Sequence, residues 1–212
     1  MIRVKICGLR TRAEVDAVAR AGAAYAGFVF HPASPRSVTL GDVAWIGKEL
    51  PDGIKTVALT VDPDDEILQA ILGAFRADLI QLHGSETPER VAAIRKLFGK
   101  PVIKAVGIAD EEDLIAIDQY ASVADQILVD ARPKPDSDRP GGHGLPFDWR
   151  LLEGRRWRRP WMLAGGLSEE NVGEAIRVTG AKQVDVSSGV ERSPGHKDPE
   201  KVAAFVAAAK SG

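Results

Sequence analysis

Apolar and polar residues alternate with a period of two from the first residues of the chain. Ile2, Val4 and Ile6 fall on one face, and Arg3, Lys5 and Cys7 on the other. That is the period of a β-strand. The alternation stops at Gly8, and Thr11-Arg12-Ala13-Glu14 then has the form of a capping box that opens a helix. The same order of apolar run, loop and helix start recurs along the chain. Further strands are predicted at Tyr25–Phe30, Lys55–Thr60, Leu79–His83, Pro101–Val106, Gln126–Asp130, Trp161–Ala164 and Gln183–Ser187. Helix starts are predicted at Leu40, Asp62-Pro63, Thr87-Pro88, Asp110, Ser168 and Asp198-Pro199, each of the last five offering a capping side chain. Gly22 and Gly99 serve as helix stops. A short helix is predicted near Asp148. Residues 131–146 are rich in Pro, Gly and Asp and exceed ordinary connection lengths, which favours a lid or binding loop.

Strict strand–helix alternation predicts a parallel sheet, and eight units is the number that closes a (β/α)8 TIM barrel. No composition shift marks a linker, so residues 1–212 are expected to form one α/β domain. Parallel strands covered on both faces read as unbroken apolar runs. Here one face is apolar, as packing under helices requires, and the other carries Lys5 and Cys7, Gln81 and His83, Leu128 and Asp130, Asp185 and Ser187. In a barrel that second face points inward. Cys7, His83, Asp130 and Ser187, at the strand ends, should therefore converge at the carboxyl-end mouth. Lys5, Gln81 and Asp185 lie one layer deeper and are expected to satisfy one another, with a Lys5–Asp185 contact. For Cys7 the alternative is a small core thiol, since free cysteine is among the most buried residue types.

The loops after the last two strands contain Gly165-Gly166 and Ser188-Gly189. Glycine lets backbone N–H groups approach an anion, and these two loops are the recurrent phosphate site of such barrels. Gly141-Gly142-His143-Gly144 in the long loop is placed to close over the same phosphate. Arg36, in the loop after the second strand, can meet a carboxylate with a two-pronged contact; the alternative is a solvated arginine. The basic run Arg155–Arg159 precedes the seventh strand, at the opposite end of the barrel, and reads as solvated surface.

Composition narrows the function without specifying it. Hydrophobic residues make up 44% of the chain and charged residues 27%, with a formal net charge of -2. That balance offers no general attraction to nucleic acid or an anionic membrane. One cysteine excludes an internal disulfide and a multi-cysteine zinc site, and the four histidines lack ligand spacing. No signal peptide or membrane-length apolar run is read, so a cytoplasmic protein is expected.

Taken in order, several motifs resemble the phosphoribosylanthranilate isomerase family of tryptophan biosynthesis. They are Lys5-Ile6-Cys7-Gly8-Leu9, Gly27-Phe28-Val29-Phe30 with Ser34-Pro35-Arg36, and Gln81-Leu82-His83-Gly84. Further along come Leu128-Val129-Asp130, Phe147-Asp148-Trp149, Leu163 to Ser168 with Asn171-Val172, and Val184 to Glu191 with Lys197-Asp198. The resemblance implies a cofactor-free Amadori rearrangement of a small phosphosugar by a monomer or homodimer. N-(5-phosphoribosyl)anthranilate becomes 1-(2-carboxyphenylamino)-1-deoxyribulose 5-phosphate. It implies Asp130 as the general acid that opens the ribose ring and Cys7 as the general base at C2. Arg36 is implied for the anthranilate carboxylate. Gly144, Gly165, Gly166, Ser188 and Gly189 are implied for the phosphate, with His83 and Asp185 in support. The family's long loop usually carries threonine where His143 stands. Acid and base must work near neutral pH, so the mouth is expected to favour a protonated Asp130 and an ionised Cys7.

Overall fold

The computed structural model describes residues 1–132 and 147–212. Eight parallel strands close into a barrel in chain order: β1 (Arg3–Cys7), β2 (Tyr25–Val29), β3 (Lys55–Thr60), β4 (Leu79–Leu82), β5 (Val102–Ile108), β6 (Gln126–Ala131), β7 (Trp161–Leu163) and β8 (Gln183–Val186). The barrel closes between β1 and β8, where Lys5 stands opposite Asp185. Around it lie α1 (Arg12–Arg20), α2 (Leu40–Ile46), α3 (Asp65–Ala74), α4 (Pro88–Phe98), α5 (Leu114–Ala121), α6 (Val172–Thr179) and α7 (Pro199–Ser211).

The period-two reading holds in three dimensions. Val4, Ile6, Ile80, Leu82, Ile127, Val129, Val184 and Val186 pack outward under the helices. Tyr25, Val57, Leu79, Ile103, Leu128 and Met162 fill the barrel. Cys7, Val29 and Leu59 form a separate cluster above them. Phe28 meets Phe75 edge-on at 4.9 Å, tying β2 to the end of α3, a geometry worth about 0.5–1.5 kcal/mol beyond area burial.

Three helix starts differ from expectation. Asp64, not Asp62, caps α3 through Ile67 N–H at 2.7 Å. Asp62 instead accepts from Ser85 N–H at 2.7 Å and thereby pins the turn after β4. Asp113, not Asp110, stands at the cap of α5, its carboxylate accepting from Ala109 N–H at 2.7 Å. After β7 the chain makes a turn at Ser168, whose N–H donates to Asn171 Oδ1 at 2.8 Å, and α6 starts only after Asn171. Thr11, Thr87 and Asp198 cap as expected. Between β6 and β7 the described residues hold a 3-10 turn, Trp149–Leu152, opened by Asp148. A hairpin of β9 (Glu191–Ser193) and β10 (His196–Lys197) lies between β8 and α7. Its strands are too short for alternation to show in the sequence.

Among the described residues, no helix is long and apolar enough to cross a membrane. In the basic run, Arg155 is anchored to Asp118 of α5 at 2.9 Å and Arg159 to the Ala121 carbonyl at 3.1 Å. These contacts make part of that run a latch between the segment before β7 and α5.

Candidate active site at the carboxyl end of the barrel

Cys7 is the last residue of β1 and is buried. One layer below, the fully buried Lys5 donates to Asp185 Oδ1 of β8 at 3.0 Å, the pair expected from the alternation. Burial disfavours the Lys5 ammonium, but Asp185 and Cys7 outweigh it, and the net effect is a firmer hold on the proton. Burial pushes the Cys7 thiol up, against the pull of the Lys5 and Lys197 ammonium groups. The expected depressed thiol is thus not found. A buried thiolate loses more solvation than two nearby cations return, the more so with Asp185 adjacent.

Lys197 is the unexpected member. Its Nζ donates to Ser187 O at 3.0 Å, Ser187 Oγ at 3.2 Å and Glu191 Oε1 at 2.8 Å. Burial lowers its proton affinity, partly offset by Glu191 and Cys7. Ser187 in turn donates its hydroxyl to the Cys7 carbonyl at 3.0 Å. Glu191 also grips Arg36, Oε1, shared with Lys197, taking Nε at 2.8 Å and Oε2 taking Nη2 at 2.9 Å. Arg36 is therefore at the mouth, as read from the sequence, but buried and already in a fork with a carboxylate of the chain itself. Nη1 takes no part in that grip. A Cβ on Gly8 would fall 2.7 Å from Arg36 Cδ, so the bare backbone after Cys7 is what lets the arginine stem lie against it.

A second cluster is built on β4 and β6. Asp130 accepts from Ala131 N–H through Oδ1 at 2.8 Å, and its Oδ2 lies 3.4 Å from His83 Nε2. His83 Nδ1 faces the Gln81 amide nitrogen at 3.0 Å. Gln81 thus joins His83 and Asp130 rather than Lys5 and Asp185. The turn carrying His83 is held from outside the barrel: Lys104 of β5 donates to Gly84 O at 2.7 Å and Glu86 Oε2 at 2.7 Å. Glu86 accepts from Gly84 N–H at 3.2 and 3.1 Å.

Cys7 and Asp130 make no hydrogen bond to each other. Their strands are separated by β7 and β8, whose following loops are the glycine loops. Gly165 has φ +85, and a Cβ there would sit 2.6 Å from Ala131 N and 3.1 Å from Asp130 Oδ1. The Asn171 amide holds the loop by donating to Gly166 O at 2.9 Å. A Cβ on Gly189 would collide with the Leu167 carbonyl, so the two loops touch backbone to backbone. Among the described residues, no backbone acceptor takes the N–H of Gly165, Gly166, Ser188 or Gly189. Donors of this kind suit an anion. Gly144 and the rest of Gly141–Gly144 lie outside the described residues. No three His, Cys, Asp or Glu side chains among the described residues are grouped to hold a metal ion.

Sequence reasoning missed Glu191 and Lys197 as site residues, and Lys104 and Glu86 behind the turn that carries His83. Glu191 and Lys197 stand inside motifs that carry the family resemblance, which was the available signal. Lys104 interrupts an apolar strand face, a signal of a buried pair.

Comparison with known proteins bears on the same site. Residues 4–208 match the family model described as N-(5'phosphoribosyl)anthranilate (PRA) isomerase. The N-(5'-phosphoribosyl)anthranilate isomerase of Cereibacter sphaeroides is 57% identical over 209 residues, covering 99% of each chain. The crystal structure of the Thermotoga maritima phosphoribosyl anthranilate isomerase superposes with a TM-score of 0.90 at 36% identity, covering 100% of both chains. A solved phosphoribosyl anthranilate isomerase in complex with reduced 1-(o-carboxyphenylamino)-1-deoxyribulose 5-phosphate matches with a TM-score of 0.87 at 35% identity, again over 100% of both chains. With its barrel, its order of motifs and these full-length matches, the chain belongs to the N-(5'-phosphoribosyl)anthranilate isomerase family.

Proposed function

We propose that Asp130 is the acid and Cys7 the base with which this chain isomerises N-(5'-phosphoribosyl)anthranilate. Asp130 gives its proton to the ribose ring oxygen as the bond from that oxygen to C1 breaks, leaving a Schiff base between C1 and the anthranilate nitrogen. The Cys7 thiolate then takes the proton from C2, and the electrons move to the nitrogen as an enolamine. Tautomerisation returns a proton to C1 and yields the ketone. The high proton affinity of a buried thiol suits abstraction from carbon, although few molecules hold it ionised at neutral pH. The Lys5 and Lys197 ammonium groups face the charge that develops there.

The ligand of the solved relative carries a carboxylate and a phosphate joined through an arylamine. On our reading, Arg36 takes the carboxylate and the N–H groups at Gly165, Gly166, Ser188 and Gly189 take the phosphate. Gly144 is assigned to the phosphate on sequence alone. His83 and Asp185 support the acid and the base through the contacts described. One observation carries the reading: Cys7 ends β1 and Asp130 stands next to the end of β6, two strands lie between them, and the glycine loops follow those two. Purified protein mixed with freshly made phosphoribosylanthranilate, without added metal, should consume its anthranilate-type fluorescence. Cys7→Ser and Asp130→Asn should each lose turnover on the order of a hundredfold or more. Wild-type turnover in both variants would sink the assignment.

A further inference from the structure

Gln81 is fully buried inside the barrel, and the mechanism above gives it no part. Its Nε2 lies 3.0 Å from His83 Nδ1, and His83 Nε2 lies 3.4 Å from Asp130 Oδ2. An amide nitrogen has hydrogens to give and no lone pair to offer, so Nδ1 is the acceptor. A neutral imidazole then carries its one hydrogen on Nε2, facing Asp130. The reversed amide would place Oε1 against Nδ1 and leave the amino group buried without a partner. In the observed orientation Oε1 is the unpartnered atom, and orphaned buried donors are rarer than under-used acceptors.

We infer that Gln81 is a positioning residue that holds His83 in the neutral tautomer, with its single N–H toward Asp130, so that the ring does not compete with the carboxyl group for the acid proton. A second proton on Nδ1 would make the ring a cation. That cation would pair with an ionised Asp130, and the carboxyl would have no proton to hand to the ring oxygen of the substrate. The amide hydrogen at Nδ1 opposes that second proton directly. The inference rests on the reading of Asp130 as the acid.

Nitrogen-15 correlation spectra of the imidazole side chains, assigned by comparison with His83→Ala, test it on the full-length protein. The wild type should show His83 with Nε2 protonated and Nδ1 bare. Gln81→Glu places a carboxylate at Nδ1, so the ring should become doubly protonated. In that variant kcat should fall on the order of a hundredfold, with KM held within about twofold, since Gln81 is not assigned to binding. In a His83→Ala background the same substitution should change kcat by less than about twofold, because the effect passes through the ring. A wild-type ring protonated on Nδ1 would overturn the inference without any variant. So would a doubly protonated ring in a Gln81→Glu protein that keeps wild-type kcat. If Asp130→Asn is inactive while either result is seen, this inference alone fails. If Asp130→Asn turns over normally, the reading beneath it fails.

Discussion

Glu191 meets Arg36 with both carboxylate oxygens, at 2.8 Å to Nε and 2.9 Å to Nη2. The guanidinium plane is thereby fixed, and Nη1 is left out of the fork, where the proposed reading puts the substrate carboxylate. Lysine at this position would keep the charge but lose the fork. A charge-assisted hydrogen bond contributes about 1.5–3 kcal/mol, so Arg36→Lys should raise KM roughly 10- to 100-fold. The change in kcat should be much smaller. Steady-state kinetics would remove Arg36 from carboxylate binding if KM stayed at its wild-type value.

Glu191 also has a pH signature. Burial disfavours its charge, but Arg36 and Lys197 more than compensate, and its carboxyl titrates below the ordinary range. A depressed folded value means its stabilisation is complete above the ordinary glutamate pKa of about 4.3. It is lost as the pH falls through the lower folded value. Urea unfolding of wild type and Glu191→Gln should therefore converge as the pH drops below about 4. A stability gap that widened on acidification would contradict this sign.

The Lys104–Glu86 pair is a separate case, since it lies outside the barrel and both side chains are almost fully buried. Removing one partner leaves an uncompensated buried charge, which costs about 3–5 kcal/mol. Lys104→Met and Glu86→Gln should each lower the unfolding free energy measured in urea by that much. The double variant should recover part of the loss, because neither charge is then stranded. Additive losses in the double variant would show that the two residues act independently.

The barrel was legible because its strands are buried on both sides yet keep a polar inner face near the mouth. Lys5, Cys7, Gln81, His83, Asp130 and Asp185 break an otherwise apolar pattern, and each proved to point inward. What alternation cannot show is which polar group meets which. Gln81 was grouped with Lys5 and Asp185 by depth, but the barrel turns it toward His83. Helix starts were misread where the capping residue had other work. Asp62 holds Ser85, 23 residues away, and a contact across that span leaves no local trace. Glu191 and Lys197 sit in a short hairpin that stays largely exposed, and only the fold shows that these two side chains turn inward.

Cys7 is the only cysteine, so its ionisation can be followed by the ultraviolet absorbance of the thiolate, with Cys7→Ser as the blank. Burial raises the thiol. The thiolate signal should therefore appear only as the pH climbs above the ordinary cysteine value of about 8.5. Lys197→Met removes one of two cations that oppose the rise, so its midpoint should move higher still. A midpoint below the ordinary value, or a downward shift in Lys197→Met, would refute the balance described here.

Gly165 joins Asp130 to the loop after β7, which makes its substitution diagnostic. An alanine there must hold a left-handed backbone, at a cost of about 1–2 kcal/mol. Its Cβ would also press on Ala131 N and on Asp130 Oδ1, at 2.6 and 3.1 Å. Relief requires the carboxyl, the loop or both to move, and a shift of about 1 Å at a reacting group can cost on the order of a hundredfold in rate. Gly165→Ala should therefore lower kcat and raise KM together, each by about tenfold or more. Gly99→Ala supplies the control: it carries the same backbone penalty at the end of α4 and meets nothing within 4 Å. It should lose a similar increment of stability and keep wild-type kinetics. If Gly165→Ala matched that control in both stability and kinetics, its loop would have no part in holding phosphate or in seating Asp130.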